Sequence, residues 1–392
     1  MKVLVYTTLF PNHHQPNNNI FIKKRMFHFA QLRNCEIKVV APIPYCPPLP
    51  VFGKKYQYSQ IKKYELMNNI EVFHPRYPLV PKISMPFHGF AMYLSTIGLI
   101  KKISKVFPFD LIDGHYIFPD GLAALLCSKC INRPLVLSAR GSDINQFTRF
   151  KSIKPMIRYT LNQADHVISV CNALKQEMTD LGIDEKKISV IPNGVDIDIF
   201  YPIDKEEARR KLLINQDHKV IVSVGSLIPR KGFHIILETL PGLIQRDAKI
   251  HLYIIGEGHY RSSLEKQIKD LHLDRHVTLV GEVANDELKF WYSSADVFCL
   301  ASSREGWANV IMESLACGTP VVATRVYGAP EIITSAAVGI LVDSTPQSLS
   351  EGLKTALETA WNRESIHAHV KNRTWFTVAD EVKSIFDMVL SR

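Results

Sequence analysis

Arg230 and Lys231 stand side by side after an apolar run at 220–224, and Glu305 and Glu313 stand eight residues apart further on. Adjacent cations at a strand end suit a diphosphate, stabilising its charge as it departs. Carboxylates repel phosphate, and their natural partners are hydroxyls. A ligand with sugars at one end and phosphate in the middle satisfies both sets, which describes a nucleotide-sugar. Glu305 lies in a loop with Gly306 and Trp307, and Glu313 about one turn into the helix that follows, so both carboxylates can face the mouth of one crevice. The run 296–300 reads as a buried strand and 309–317 as a helix entered through a polar, glycine-containing turn. Such a helix start, here Asn309 and Val310, presents unpaired N–H groups and a partial positive charge to an anion.

The elements that must position these groups follow from alternation. Apolar, β-rich runs at 3–7, 37–41, 70–74, 111–115, 135–138, 166–170 and 189–191 alternate with helical patterns. A second series begins at 220–224 and continues at 250–255, 277–280, 297–300, 321–323 and 340–342. This is the signature of α/β layers with parallel sheets, in two doubly wound domains. The segment 42–58, rich in Pro and Lys, reads as an irregular surface loop, and 198–205 as a hinge. Ligands gather at the carboxyl ends of strands in such sheets. In the first half those ends carry the polar loop Phe10–Asn19, then His115 with Asp120, then Arg140 with Asp143. In the second half Gly256-Glu257-Gly258 follows a strand and opens a dinucleotide reading, but the G-x-G-x-x-G fingerprint fails at its third position, Arg261.

The block from Ala301 to Ile333, ASSREGWANVIMESLACGTPVVATRVYGAPEII, resembles the E-x7-E signature and following GxPE turn of retaining glycosyltransferases of family 4, which have the GT-B fold. Pro192-Asn193-Gly194-Val195-Asp196 resembles the turn before the linker in that family. Arg140-Gly-Ser-Asp143 stands where HG-x-D is usual, and with Pro119-Asp120-Gly121 it resembles the teichuronic-acid-type polysaccharide branch. The resemblance implies two Rossmann-like domains facing across a cleft: an acceptor-side domain 1–196, a nucleotide-sugar domain 197–374, and a helix in 375–392 crossing back to the first. It implies a retaining, metal-independent hexosyltransferase that moves a sugar from a UDP- or GDP-sugar to a glycan or lipid-linked acceptor in cell-surface polysaccharide synthesis. The nucleotide-sugar is a co-substrate and no cofactor is implied. Lys231, Arg230 and Glu305 take the catalytic roles, Gly256, Gly281 and Val283 line the base, and His115, Asp120, Arg140 and Asp143 lie on the acceptor side. Two departures stand out: Ser226 replaces an arginine common in the family, and the loop after the first strand has no glycine. A phosphorylase or nucleotide-sugar epimerase on the same scaffold, or an NAD-dependent Rossmann enzyme, is the alternative.

Composition sets the frame. With 392 residues, 46% hydrophobic and 22% charged, the chain is globular and long enough for two cores. The net charge is +9, yet residues 1–109 alone hold 15 Lys and Arg against 3 Asp and Glu, a balance of +12. That end should meet a negative surface. No nucleic-acid motif accompanies it, so nucleic acid is not the expected partner. The uncharged segment 87–100 followed by Lys101, Lys102 and Lys105 suits an anionic membrane surface. Seven cysteines, an odd number without a paired C-x-x-C framework, point to a reducing compartment. The apolar start reads as a strand and not a leader, and no run reaches a membrane span. The expected location is cytoplasmic, peripheral on the inner membrane face.

Overall fold

Fully buried stretches such as VLVY near the start and VVAT late in the chain become central parallel strands, because both faces of a parallel sheet are covered. The computed structural model describes residues 1–16, 19–79 and 84–392. Asn17 and Asn18 of the first loop lie outside the described residues. The chain forms two units, one of Met1–Asn193 with Trp375–Arg392, the other of Gly194–Thr374.

The first unit contains β1 (Lys2–Tyr6), β2 (Glu36–Val40), β3 (Ile43–Pro44), β4 (Tyr64–Met67), β5 (Ile70–Phe73), β6 (Arg76–Tyr77), β7 (Leu111–His115), β8 (Leu135–Ala139), β9 (His166–Ser169) and β10 (Ile188–Val190). Eight of them form one sheet in the order β10-β9-β8-β7-β1-β2-β5-β4, parallel except for the β4–β5 hairpin. The strand order reverses between β1 and β7. The pair β3–β6 and the Tyr56–Gln60 helix correct the expectation of an irregular surface loop at 42–58. The Trp375–Leu390 helix buries Trp375, Val378, Val382 and Phe386 against Ile22, Met26 and Phe29, with the Phe29 and Phe386 rings 5.4 Å apart.

The second unit contains β11 (Lys219–Val224), β12 (Ile250–Ile255), β13 (Val277–Gly281), β14 (Val297–Leu300), β15 (Val321–Thr324) and β16 (Gly339–Val342), all parallel in the order β13-β12-β11-β14-β15-β16. Here the order reverses between β11 and β14, so the loops after these two strands open side by side. The segment expected to be a hinge is anchored to this unit. Phe200 is buried, its ring 6.0 Å from that of Tyr292, and Ile203 N donates to Ser293 Oγ.

Candidate active site

The turn after β11 and the loop after β14 meet at the reversal point. Gly232 makes the meeting possible: at φ 72° it turns the chain into the Phe233–Arg246 helix, and a Cβ there would stand 1.9 Å from the carbonyl oxygen of Ala301. Ser303 N donates to Arg230 O at 2.9 Å, tying the two loops together. Across this junction Lys231 Nζ donates to Glu305 Oε1 at 2.6 Å, and Arg230 approaches Oε2 at 3.4 Å while donating to Arg304 O at 2.6 Å. Ser302 Oγ donates to the same Oε1 at 2.7 Å. The Glu305 side chain is 9% exposed, and Arg230, at 33%, faces solvent most. Burial pushes the Glu305 carboxyl upward, but Lys231 and Arg230 outweigh it and hold it below the ordinary range. The three expected catalytic residues are therefore one bonded group, with the acid clamped between the cations and not standing apart to meet a sugar.

Glu313 has its own partner. Tyr292, fully buried, donates from its hydroxyl to Glu313 Oε2 at 2.8 Å. Glu313 lies one turn into the Asn309–Ala316 helix, whose N-terminus carries no side-chain cap, with Asn309 N bonded to Trp307 O at 3.1 Å. Val310 and Val283 pack against the core of the unit. Gly306 O accepts from Gly328 N, linking this loop to the later glycine-proline turn. Trp307 Nε1 is buried with no hydrogen-bond partner among the described residues. At the far side, Gly256 N donates to Gly281 O at 2.8 Å and Leu227 N to Glu257 O at 2.9 Å, so three strand-end loops are laced together. A Cβ on Gly256 would lie 2.0 Å from Gly225 O, and one on Gly258 2.3 Å from Leu227 O. Loop crossing thus accounts for the glycine pattern, and Arg261 is engaged by Glu257 and Glu265.

In the first unit the loops after β1, β7 and β8 build a second polar cluster. His115 is fully buried at the end of β7; its Nε2 lies 3.0 Å from Asp113 Oδ2, and Arg140 donates to its Nδ1 at 2.5 Å. The proton therefore sits on Nε2. Burial lowers the imidazole to about 4, with Asp113 opposing and Arg140 adding to the shift, so the ring is neutral near pH 7. Arg25 reaches the same group from its helix, donating to Ser138 Oγ at 2.9 Å and to Asp113 at 3.4 Å. Arg140 also donates to Asn193 Oδ1 at 3.2 Å, and its Nε has no partner among the described residues. Burial takes its pKa down to about 9, still protonated.

Asp120 accepts from Thr8 N, joining the loops after β1 and β7. Burial raises it to about 7 against that hydrogen bond, and its Oδ2 is buried without a partner among the described residues. Asp143, expected beside the acceptor, is instead occupied by the backbone N–H groups of Ile117, Arg140 and Gly141 at 2.7 to 3.2 Å. Its place is to hold two loops together. In the loop after β1, His13 Nδ1 is 2.5 Å from Glu65 Oε1, and Asn12 caps its own turn through His14 N and Gln15 N. A pocket of about 520 Å³ there is lined by Asn12, His13, Lys23, Lys62 and Glu65.

Sequence reasoning missed Ser302, Tyr292, Arg25 and Asp113. Two of them had a readable signal. Arg25 takes a core position in its helix between Ile22 and Phe29, and Asp113 interrupts an apolar strand.

The model for "Glycosyl transferases group 1" matches residues 204–373, and that for "Glycosyltransferase Family 4" matches residues 30–199. The chain is 28% identical to TuaC of Bacillus subtilis, a glycosyltransferase named for teichuronic acid biosynthesis, over 93% of this chain and 91% of that one. It is 30% identical to an uncharacterised glycosyltransferase of Methanocaldococcus jannaschii, over 84% and 87% of the two chains. Among solved structures, the Anabaena protein HepE in complex with UDP and glucose superposes with a TM-score of 0.74 at 19% identity, covering 98% of this chain and 99% of that one.

Proposed function

The chain belongs to glycosyltransferase family 4 and has the GT-B fold, and on that premise we propose that it transfers a sugar from a UDP- or GDP-sugar to a glycan or lipid-linked acceptor of a cell-surface polysaccharide. The configuration at the anomeric carbon is retained and no metal is required. The observation that carries this reading is the bonded group Lys231–Glu305–Arg230 at the reversal point of the second sheet. Two cations on one carboxylate leave a net positive charge, which suits a diphosphate. As the donor enters, Lys231 and Arg230 share their hydrogen bonds with the phosphates, and Glu305, freed in part, accepts from sugar hydroxyls. Glu313 takes the ribose.

In the chemical step the bond from the anomeric carbon to the phosphate oxygen breaks and one to the acceptor oxygen forms on the same face. The acceptor's proton passes to the departing phosphate. Glu305 is a poor base for that proton because the cations hold its pKa low. The acceptor is received by the first unit near His115, Asp120 and Arg140. The HepE complex with UDP and glucose and the relation to TuaC support the donor class and the polysaccharide context. A cytoplasmic protein, peripheral on a membrane, fits this role.

The test is turnover of a panel of nucleotide-sugars with and without acceptor, after a thermal-shift screen that includes NAD and NADP. Lys231→Ala and Glu305→Ala should each lose about 10²-fold or more in kcat. Full turnover by both variants would sink the assignment of roles. Stabilisation by NAD, with none by UDP or GDP, would sink the donor.

A further inference from the structure

The His88–Val106 helix turns one face inward through Met92, Thr96, Ile100 and Ile103, spaced by three and four residues. The opposite face of a helix on a water-soluble protein is ordinarily polar throughout. Here its leading turns, with the residue just before them, carry Phe87, Phe90 and Leu94, exposed by 66%, 43% and 72%. Gly98 follows, with open space where a side chain would be. The same outer side then ends in Lys101, Lys102 and Lys105, all exposed. From 72 to 109 the sequence has no acidic residue.

We infer that this outer face, Phe87, Phe90 and Leu94 leading and Lys101, Lys102 and Lys105 following, docks the protein on the surface of an anionic lipid bilayer. Large apolar side chains on a convex helix need no matching pocket in a fluid acyl layer, whereas a folded partner would have to supply one. The lysines, a few turns further along, reach lipid phosphates, and their aliphatic stems lie along the apolar boundary. The excess of positive charge in residues 1–109 adds a longer-range attraction to the same surface. No helix among the described residues is long and apolar enough to cross a membrane, so the contact is lateral. The inference does not depend on the transferase reading, and its test involves no catalysis.

The purified full chain is floated with vesicles of phosphatidylcholine alone and of phosphatidylcholine with phosphatidylglycerol, at low and high salt. The expected result is recovery with the anionic vesicles at low salt, about tenfold or more above the neutral ones, weakening as salt rises. The double variant Phe90→Ser/Leu94→Ser and the triple variant Lys101→Glu/Lys102→Glu/Lys105→Glu should each lose about tenfold or more of that binding while keeping the melting temperature. The inference is overturned by absence of flotation at low salt, by equal binding to both vesicle types, or by wild-type binding in both variants. It is also overturned if sedimentation reveals self-association that the double variant abolishes while vesicles bind nothing, because the face is then an interface between copies.

Discussion

Glu313 is only as useful as its orientation, and a buried hydroxyl helps to set it. Tyr292→Phe removes the 2.8 Å hydrogen bond while keeping the ring that fills the core. A hydrogen bond to a charged group is worth about 1.5–3 kcal/mol. The donor KM should therefore rise about tenfold, with kcat little changed. A nucleotide lacking ribose hydroxyls should bind wild type and variant alike, which separates orientation of Glu313 from general loosening. Asp120 makes a second prediction, concerning pH. Its folded carboxyl titrates at about 7, raised by burial, against about 3.9 when unfolded. Below about pH 4 both states are protonated and its contribution is complete. As pH climbs through about 7 the unfolded state has already released its proton, and stability is lost. Asp120→Asn keeps an acceptor for Thr8 N and removes the titration. Denaturant unfolding between about pH 4 and 8 should gain on wild type with rising pH, by up to about 4 kcal/mol. A parallel course of the two proteins would exclude the shift.

Loops held by backbone contact are the least tolerant elements. Gly232→Ala asks for a Cβ 1.9 Å from Ala301 O at φ 72°, so the turn carrying Arg230 and Lys231 must move away from the Glu305 loop. Donor turnover should fall by about 10²-fold, with a stability loss of about 1–3 kcal/mol. A fully active variant would mean that the junction is dispensable. The junction also marks how far the sequence could be read. Strands β7, β12 and β14 coincide with the apolar runs 111–115, 250–255 and 297–300, and the cationic turn and the Glu305 loop fall after β11 and β14 as expected. What spacing could not tell is that Lys231 and Glu305 bond to each other, because that depends on which strands are neighbours, and β11 and β14 are far apart in sequence. Strand β5 falls in the expected run 70–74, but its hairpin partner β4 was missed for another reason. At the sheet edge its apolar Tyr64 and Leu66 are exposed while Glu65 is buried, the reverse of an ordinary half-buried strand, although Asn68 and Asn69, both with positive φ, are the turn residues such a hairpin prefers.

For the molecule as a whole, the division of the chain decides what can be removed. The first unit is completed by the Trp375–Leu390 helix, whose buried Trp375, Val378, Val382 and Phe386 fill a seam over Ile22, Met26 and Phe29. Side chains of this size contribute about 1.5–3 kcal/mol each when buried, which together rivals the whole stability of an ordinary domain. A chain ending at Thr374 should lose the melting transition of the first unit and keep that of Gly194–Thr374, resolved by calorimetry. Two unchanged transitions would refute the dependence. During synthesis the same arrangement imposes an order of events. A ribosome releases the complete Gly194–Thr374 half before it has made the last strip of the half it began with, so the earliest-translated lobe waits longest to close, with an oily groove that a holding chaperone would be called on to shield.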